Sequence, residues 1–202
     1  MKVAIIKYNA GNVVSVNFAL ERLGITPIIT DDITLLQSAD KVIFPGVGEA
    51  STTMKYLKNK QLDKIITSLQ QPVLGICLGM QLLCQHSEEG DTDCLGVFPL
   101  KVRHFNSQKN AEQTDLKVPH VGWNTLENLQ SSLLQNLPTQ NPYVYYVHSF
   151  YVEQGKATIA STQYILPFSA ALHHKNFYAV QFHPEKSGEV GAKILENFLA
   201  LK

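Results

Sequence analysis

Cys77 lies in the pentapeptide Gly75-Ile76-Cys77-Leu78-Gly79, after an apolar run and before Met80, Leu82 and Leu83 at helical spacing. That order predicts a strand, a tight turn and a helix, with small residues on either side letting the chain turn sharply under the cysteine. Backbone N–H groups at a helix start favour thiolate over thiol, whereas an ordinary thiol with a pKa near ~8.5 is only slightly ionised at neutral pH. The competing reading is a buried cysteine in an ordinary Gly-rich turn. A cysteine nucleophile needs a base, and the base needs an acceptor to orient it. His183-Pro184-Glu185 offers both groups in one turn at the end of an apolar run over residues 177–182, with Pro184 restricting the backbone between them. His183 alone would read equally well as a surface histidine; beside an acid, and with an elbow elsewhere in the chain, it reads as general base. Pro45-Gly46-Val47-Gly48 follows another apolar run, and its glycines let backbone N–H groups approach an anion closely. Gly48 or Val47 and Leu78 are the candidate donors to a tetrahedral oxygen.

The remaining chemistry-bearing residues have weaker contexts. Cys84 falls in the helical pattern after Cys77, and Cys94 in a Gly/Asp-rich loop. His86, His104 and the His173-His174 pair have no Cys/His partners at ligand spacing, so no metal site is expected. Neither GxxxxGK[ST] nor GxGxxG is present, which leaves a nucleotide-binding reading without its usual parts. Seventeen Lys plus Arg balance seventeen Asp plus Glu, so no global field favours nucleic acid or an anionic membrane. The start Met1-Lys2-Val3-Ala4 runs into a strand and not a signal-peptide core, no apolar stretch approaches membrane-spanning length, and three cysteines cannot all pair within the chain. A cytoplasmic protein is expected.

To bring residues 45–48, 77 and 183–185 together, the chain needs a sheet that gathers strand ends. Apolar runs at 3–6, 27–29, 40–44 and 73–76 alternate with helical patterns carrying Val14, Phe18, Leu20 and Leu23, then Met54 and Leu57, then Leu62, Ile65, Ile66 and Leu69. This predicts βαβ units, an α/β fold with an open, mostly parallel sheet flanked by helices, and ligands beyond the strands' carboxyl ends. In the second half, short strands near 97–104, 118–126, 143–152, 158–162 and 168–173 have few helices between them and predict an antiparallel extension. A strand over 177–182 and a helix over 188–201 follow, while residues 106–117 read as a polar exposed loop. No repeat or long linker divides the chain, so residues 1–202 are expected to form a single domain.

Taken together, the segments 45–48, Gly75-Ile76-Cys77-Leu78-Gly79-Met80-Gln81 and Gln181-Phe182-His183-Pro184-Glu185, in that order, resemble the class I, or triad-type, glutamine amidotransferases. Within that family, Gly11-Asn12, Pro119-His120-Val121-Gly122-Trp123-Asn124, Tyr146-Val147-His148-Ser149-Phe150 and His183-Pro184-Glu185-Lys186-Ser187 are similar to the glutaminase subunits of imidazole glycerol phosphate synthases, over essentially the whole chain. The first turn departs from the family's Asp-Tyr-Gly-x-Gly-Asn, reading Lys7-Tyr8-Asn9-Ala10-Gly11-Asn12.

The resemblance implies Cys77 as nucleophile, His183 as general base and acid, Glu185 as its orienting carboxylate, and backbone N–H groups of Gly48 and Leu78 as the oxyanion hole. It places Gln81 and the backbone around Gly46, His148 and Ser149 on glutamine. Asn12, Trp123 and Lys186 fall toward a partner, although composition alone would put a lone tryptophan in the core and leave Lys186 solvated. The implied reaction hydrolyses L-glutamine through a glutamyl thioester and passes ammonia to a (β/α)8-barrel cyclase subunit in a 1:1 heterodimer, with no cofactor and no metal on this subunit. The competing expectations are a glutaminase subunit for aminobenzoate or pyridoxal phosphate synthesis, a cysteine peptidase or amidase, and a non-enzymatic interaction module.

Overall fold

The computed structural model describes residues 1–8, 12–107 and 116–202. The turn residues Asn9, Ala10 and Gly11, and positions 108–115 of the polar loop, lie outside the described residues. In chain order the elements are β1 (Val3–Ile6), α1 (Val13–Arg22), β2 (Ile28–Thr30), α2 (Ile33–Gln37), β3 (Lys41–Gly46), α3 (Ala50–Asn59), α4 (Leu62–Ser68), β4 (Val73–Cys77), α5 (Leu78–Leu82), β5 (Cys84–Ser87) and β6 (Thr92–Asp93). They continue with β7 (Phe98–His104), β8 (His120–Thr125), β9 (Tyr143–His148), β10 (Phe150–Val152), β11 (Thr158–Gln163), β12 (Pro167–His174), β13 (Phe177–Val180) and α6 (Gly188–Ala200).

The main sheet has seven strands in the order β11-β12-β13-β4-β3-β1-β2. From β13 to β2 every pairing is parallel, and β11-β12-β13 extend it antiparallel, as the change of pattern along the chain predicts. Because strand side chains alternate, successive residues enter opposite layers. Val3, Ile5, Ile43, Leu74 and Ile76 face α1 and α6, whereas Ala4, Ile6, Val42, Phe44 and Val73 face α3 and α4. Both faces are therefore dry, which accounts for strands that read as continuous apolar runs. α1 buries Val16, Ala19 and Leu20 at helical spacing and stops at Gly24, whose φ of 77° suits glycine.

Several elements depart from the sequence reading. The helix after Cys77 ends at Leu82, and Cys84 begins a strand. The carbonyls of Leu82, Leu83 and Cys84, which a continuing helix would direct to its next turn, instead accept N–H groups from Leu95, Phe98 and Gly96. The apolar run 143–152 splits at Ser149: β9 pairs with β8 in a two-stranded ribbon, while β10 joins the four-stranded sheet β10-β7-β5-β6. β13 stops at Val180: the Gln181 N–H still meets Ala170 O in the β12 register, but the His183 N–H turns to Tyr145 O of β9, outside the sheet. α2 has no counterpart in the sequence reading; the Asp32 side chain caps it by accepting the Leu35 N–H at 3.0 Å. Among the described residues no helix is long and apolar enough to cross a membrane.

Candidate active site

Register brings the sequence-distant pieces together. Cys77 ends β4 opposite Gly46 at the end of β3, and Ile76 pairs with Val180 at the end of β13, which puts Gln181 beside Cys77. All three strands are parallel, so their carboxyl ends share one edge, where such sheets hold ligands.

The backbone at Cys77 is at φ 54°, ψ −111°, a region a non-glycine residue enters only under strain, of order 1–3 kcal/mol. Its neighbours show how the turn is held. A methyl at Gly79 would lie 1.9 Å from the Phe44 carbonyl oxygen, and one at Gly75 would lie 2.7 Å from Leu83 Cδ1. The glycines on either side of the cysteine are thus required by close approach of α5 to β3 and β4. Helix α5 has only five residues, so local N–H groups at its start matter more than any long macrodipole.

His183 Nδ1 lies 2.7 Å from Glu185 Oε1, and both side chains are almost wholly excluded from solvent. That contact places the other ring nitrogen, Nε2, in a buried position with no formed hydrogen bond, on the side of Cys77. Burial opposes charging the ring, but Cys77 and then Glu185 outweigh it and push the His183 pKa up to about 10. The turn carrying the pair is clamped. Tyr145 O in β9 accepts the His183 N–H at 2.9 Å, Tyr145 N–H donates to Ser187 Oγ at 3.0 Å, and that hydroxyl donates to His183 O at 2.6 Å.

A cavity of about 360 Å³ opens over the sulfur, large enough for one amino acid. Val47, Gly48 and Leu78 wall one side, with Gln81, His148 and Ser149 among the residues on the others. Gly46 stands behind this cavity, packed against Tyr8 and the start of α5. Both N–H groups of the Gln81 amide are taken, by Phe150 O at 3.0 Å and Gln181 Oε1 at 2.9 Å, which leaves its oxygen for a ligand. Asn12 lies against the His183–Glu185 pair, its amide donating to Glu185 Oε1 and sitting 3.2 Å from His183 Nδ1. Trp123 is 55% exposed, and so it is no core residue; it meets the Tyr145 ring edge-on at 6.0 Å, and Lys186 Nζ sits 5.9 Å from the centre of the same ring.

Three residues of the site escaped the sequence reading. Glu89, from the loop between β5 and β6, contributes a carboxylate to the cavity; burial raises its pKa, against an accepted N–H from Ala50. Gln181 reaches Cys77 Sγ at 3.8 Å. The Tyr8 phenol donates to Pro45 O, bracing the 45–48 turn, and burial together with the nearby Cys77 pushes its pKa upward. The motif 181–185 contained Gln181, but only strand register shows that it adjoins the sulfur.

Two buried histidines, His148 in the cavity wall and His120 beside it, are neutral. Burial lowers His120 to about 4 and His148 to about 3. His120 stacks between Tyr146 and Tyr164, with ring centres 4.9 and 3.9 Å away. Since Phe150 O can only accept, His148 Nδ1, 2.7 Å away, carries the proton, and His148 Nε2 accepts from His120 Nδ1 at 3.1 Å.

The strained cysteine elbow and the glycine turn line one amino-acid-sized cavity, and the buried His–Glu pair adjoins the cysteine; comparison with known proteins places the chain in a family. The family model described as "Glutamine amidotransferase class-I" matches residues 7–201. The chain is 59% identical over 201 residues to an imidazole glycerol phosphate synthase subunit HisH of Bacteroides fragilis, covering 100% of both chains. It is 46% identical to a protein of the same description from Idiomarina loihiensis, covering 100% of this chain and 98% of that one. The fold also superposes on a crystal structure of a glutamine amidotransferase with a TM-score of 0.73 at 18% identity, covering 99% of this chain and 100% of the other. With its elbow, its His–Glu turn and nearly its full length matched, the chain belongs to the class-I glutamine amidotransferases.

Proposed function

We propose that Cys77, His183 and Glu185 perform the glutaminase reaction in the cavity at the end of β4. The protein is a cysteine-nucleophile glutaminase, the glutaminase subunit of imidazole glycerol phosphate synthase in histidine biosynthesis. The observation that carries the residue assignment is the register that sets β3, β4 and β13 side by side, placing the elbow and the His–Glu turn on one edge.

The Cys77 thiolate attacks the side-chain amide carbon of glutamine, and Gly48 and Leu78 N–H groups receive the oxygen as it becomes anionic. His183, protonated beside the sulfur and held by Glu185, gives its proton to the leaving nitrogen, so ammonia departs and a glutamyl thioester remains. His183, now neutral, takes a proton from water, whose attack releases glutamate and restores the thiolate. Glu89 offers the charge to hold the α-ammonium of the substrate, and the Gln81 oxygen and the backbone at His148 and Ser149 face its carboxamide stem and main-chain groups.

Ammonia in open water near neutral pH is largely protonated and loses its reactive lone pair, so a sheltered exit favours a docked acceptor subunit. The outer face of the β8–β9 ribbon suits docking: Val121, Trp123 and Tyr143 are each more than half exposed, and Lys186 lies over the adjacent Tyr145. We assign this face, with Asn12, to a 1:1 contact with a (β/α)8-barrel cyclase that joins the ammonia to its phosphorylated substrate. Three cysteines without a disulfide suit a reducing compartment such as the cytoplasm. Mixing the chain with the barrel subunit tests the reading. Wild type should form imidazole glycerol phosphate from glutamine or ammonium salt, and Cys77→Ala only from ammonium salt. Glutamine-dependent product from Cys77→Ala would overturn the assignment of the nucleophile.

A further inference from the structure

Gln181 is fully buried and has no place in the reaction as described above, yet its side-chain amide lies against the reacting sulfur. An amide can turn either edge toward that sulfur, and the oxygen edge would repel a thiolate. Its direction is set by a chain that begins at a group with no choice. Phe150 O is a backbone carbonyl and can only accept, so the Gln81 group 3.0 Å from it is the NH2. The second N–H of that NH2 points to the near edge of Gln181 at 2.9 Å, which must therefore be Oε1. The remaining edge, Nε2, is the one that faces Cys77 Sγ at 3.8 Å. The same carbonyl takes the His148 Nδ1 proton at 2.7 Å, which fixes it from a second side.

We propose that Gln181 is a further catalytic residue, whose side-chain N–H donates to the Cys77 sulfur and holds it as a thiolate, with Gln81 as the positioning residue that locks the amide donor-side out. The inference rests on Cys77 being the nucleophile. It gives the sulfur a second partner besides His183, a donor in place before the attack and again when thioester hydrolysis restores the thiolate. A hydrogen bond to an ionised acceptor is stronger than a neutral one, so the donor favours the charged form of the sulfur over the thiol. Gln81 acts at one remove: without it, the Gln181 amide is free to turn its oxygen inward.

The test is site-resolved alkylation of the full chain with iodoacetamide across pH, read by peptide mass so that Cys84 and Cys94 are counted apart. Wild type is compared with Gln181→Met, which loses the donor, Gln181→Glu, which keeps the shape, and Gln81→Met, which removes the lock. The other titratable groups around the sulfur, Tyr8, Glu89, His148, His183 and Glu185, are common to all four proteins. In Gln181→Met the pH midpoint of Cys77 alkylation should rise by about one unit and kcat for glutamine should fall on the order of tenfold, with KM nearly unchanged. Gln181→Glu should move the midpoint further, and Gln81→Met should move it less but the same way. Use of added ammonia in the complex should stay at the wild-type rate. An unchanged midpoint in the folded variants would overturn the proposal, as would loss of fold in both Gln181 variants with no shift in Gln81→Met. Wild-type glutaminase activity surviving full alkylation of Cys77 would instead overturn the nucleophile assignment itself, so the two failures are distinct.

Discussion

Asn12 donates its side-chain amide to Glu185 Oε1, the same oxygen that lies 2.7 Å from His183 Nδ1. Glu185 thus receives two donors on one oxygen, while Oε2 is buried and has no hydrogen-bond partner among the described residues. Asn12, which precedes α1 in a left-handed conformation at φ 74°, is therefore part of the environment of His183 as well as a candidate for contact with a partner. Asn12→Asp would replace the donor with a second carboxylate beside Glu185. We expect kcat for glutamine to drop roughly tenfold with KM little altered, and Asn12→Ala to lose less. Steady-state glutaminase kinetics of the two variants check this, and an Asn12→Asp enzyme at least as active as Asn12→Ala would contradict it.

The elbow's glycines differ in what they face. At Gly79 a methyl meets a backbone carbonyl at 1.9 Å, and the carbonyl cannot move without displacing β3. At Gly75 the nearest atom is the end of the Leu83 side chain, which can rotate. Gly79→Ala should destabilise the protein by at least about 3 kcal/mol or prevent folding, and Gly75→Ala by about 1–3 kcal/mol. Urea unfolding of both variants ranks them, and the reverse order would show that α5 is not seated on β3 as described.

Tyr8, just after β1, is joined to the 45–48 turn through its bond to Pro45 O, and a methyl at Gly46 would lie 2.6 Å from the same hydroxyl. Tyr8→Phe leaves the Pro45 carbonyl without this donor. A loss of about 1 kcal/mol in unfolding free energy is expected, together with a lower kcat from a looser 45–48 turn. Denaturant titration and kcat measured on the same preparation test both parts. A change in KM alone would place the tyrosine's role in substrate binding instead.

Stability should depend on pH with a sign that the buried histidines set. His120 and His148 have folded pKa values lowered to about 4 and about 3, below the ordinary 6.5. Between roughly pH 4 and 6.5 the unfolded chain binds protons that the folded chain refuses, so stability falls as pH drops through that window. His183 acts in the opposite sense: its raised value, about 10, adds stability that is fully present below 6.5 and is lost as pH rises toward 10. His120→Phe keeps a ring between Tyr146 and Tyr164 and removes one titration. Urea midpoints from pH 4.5 to 7 should show a shallower acid slope for this variant, and an identical slope would refute the neutral stacked histidine.

Trp123 and Lys186 both contact the ring of Tyr145, whose backbone clamps the His183 turn. A docked partner pressing on this ring would thus bear on the strand that holds the His183 turn. Trp123→Glu should leave unfolding free energy within about 0.5 kcal/mol of wild type and weaken binding to the barrel subunit at least tenfold. Calorimetric titration against the cyclase measures it, and unaltered affinity would move the interface elsewhere.

Much of this protein was determined by its sequence alone, because the signals are local. Apolar runs too short for surface helices mark β1, β3 and β4; Gly24 stops α1; and Gly75 and Gly79 permit a turn that larger residues would block. Residue chemistry likewise singled out Cys77, His183 and Glu185, since few arrangements put a thiol after a strand and an imidazole beside a carboxylate. What tertiary structure decided is everything that depends on which strands are neighbours. The adjacency of β4 and β13 puts Gln181 against Cys77, and the loop that takes the carbonyls of residues 82–84 turns an expected helix into β5. The split at Ser149 sends one apolar run into two sheets, and Glu89 reaches the cavity from a loop with no distinctive spacing. Hydrogen bonds between distant backbone groups leave no periodic trace in the residues that make them, so only the folded chain reveals them.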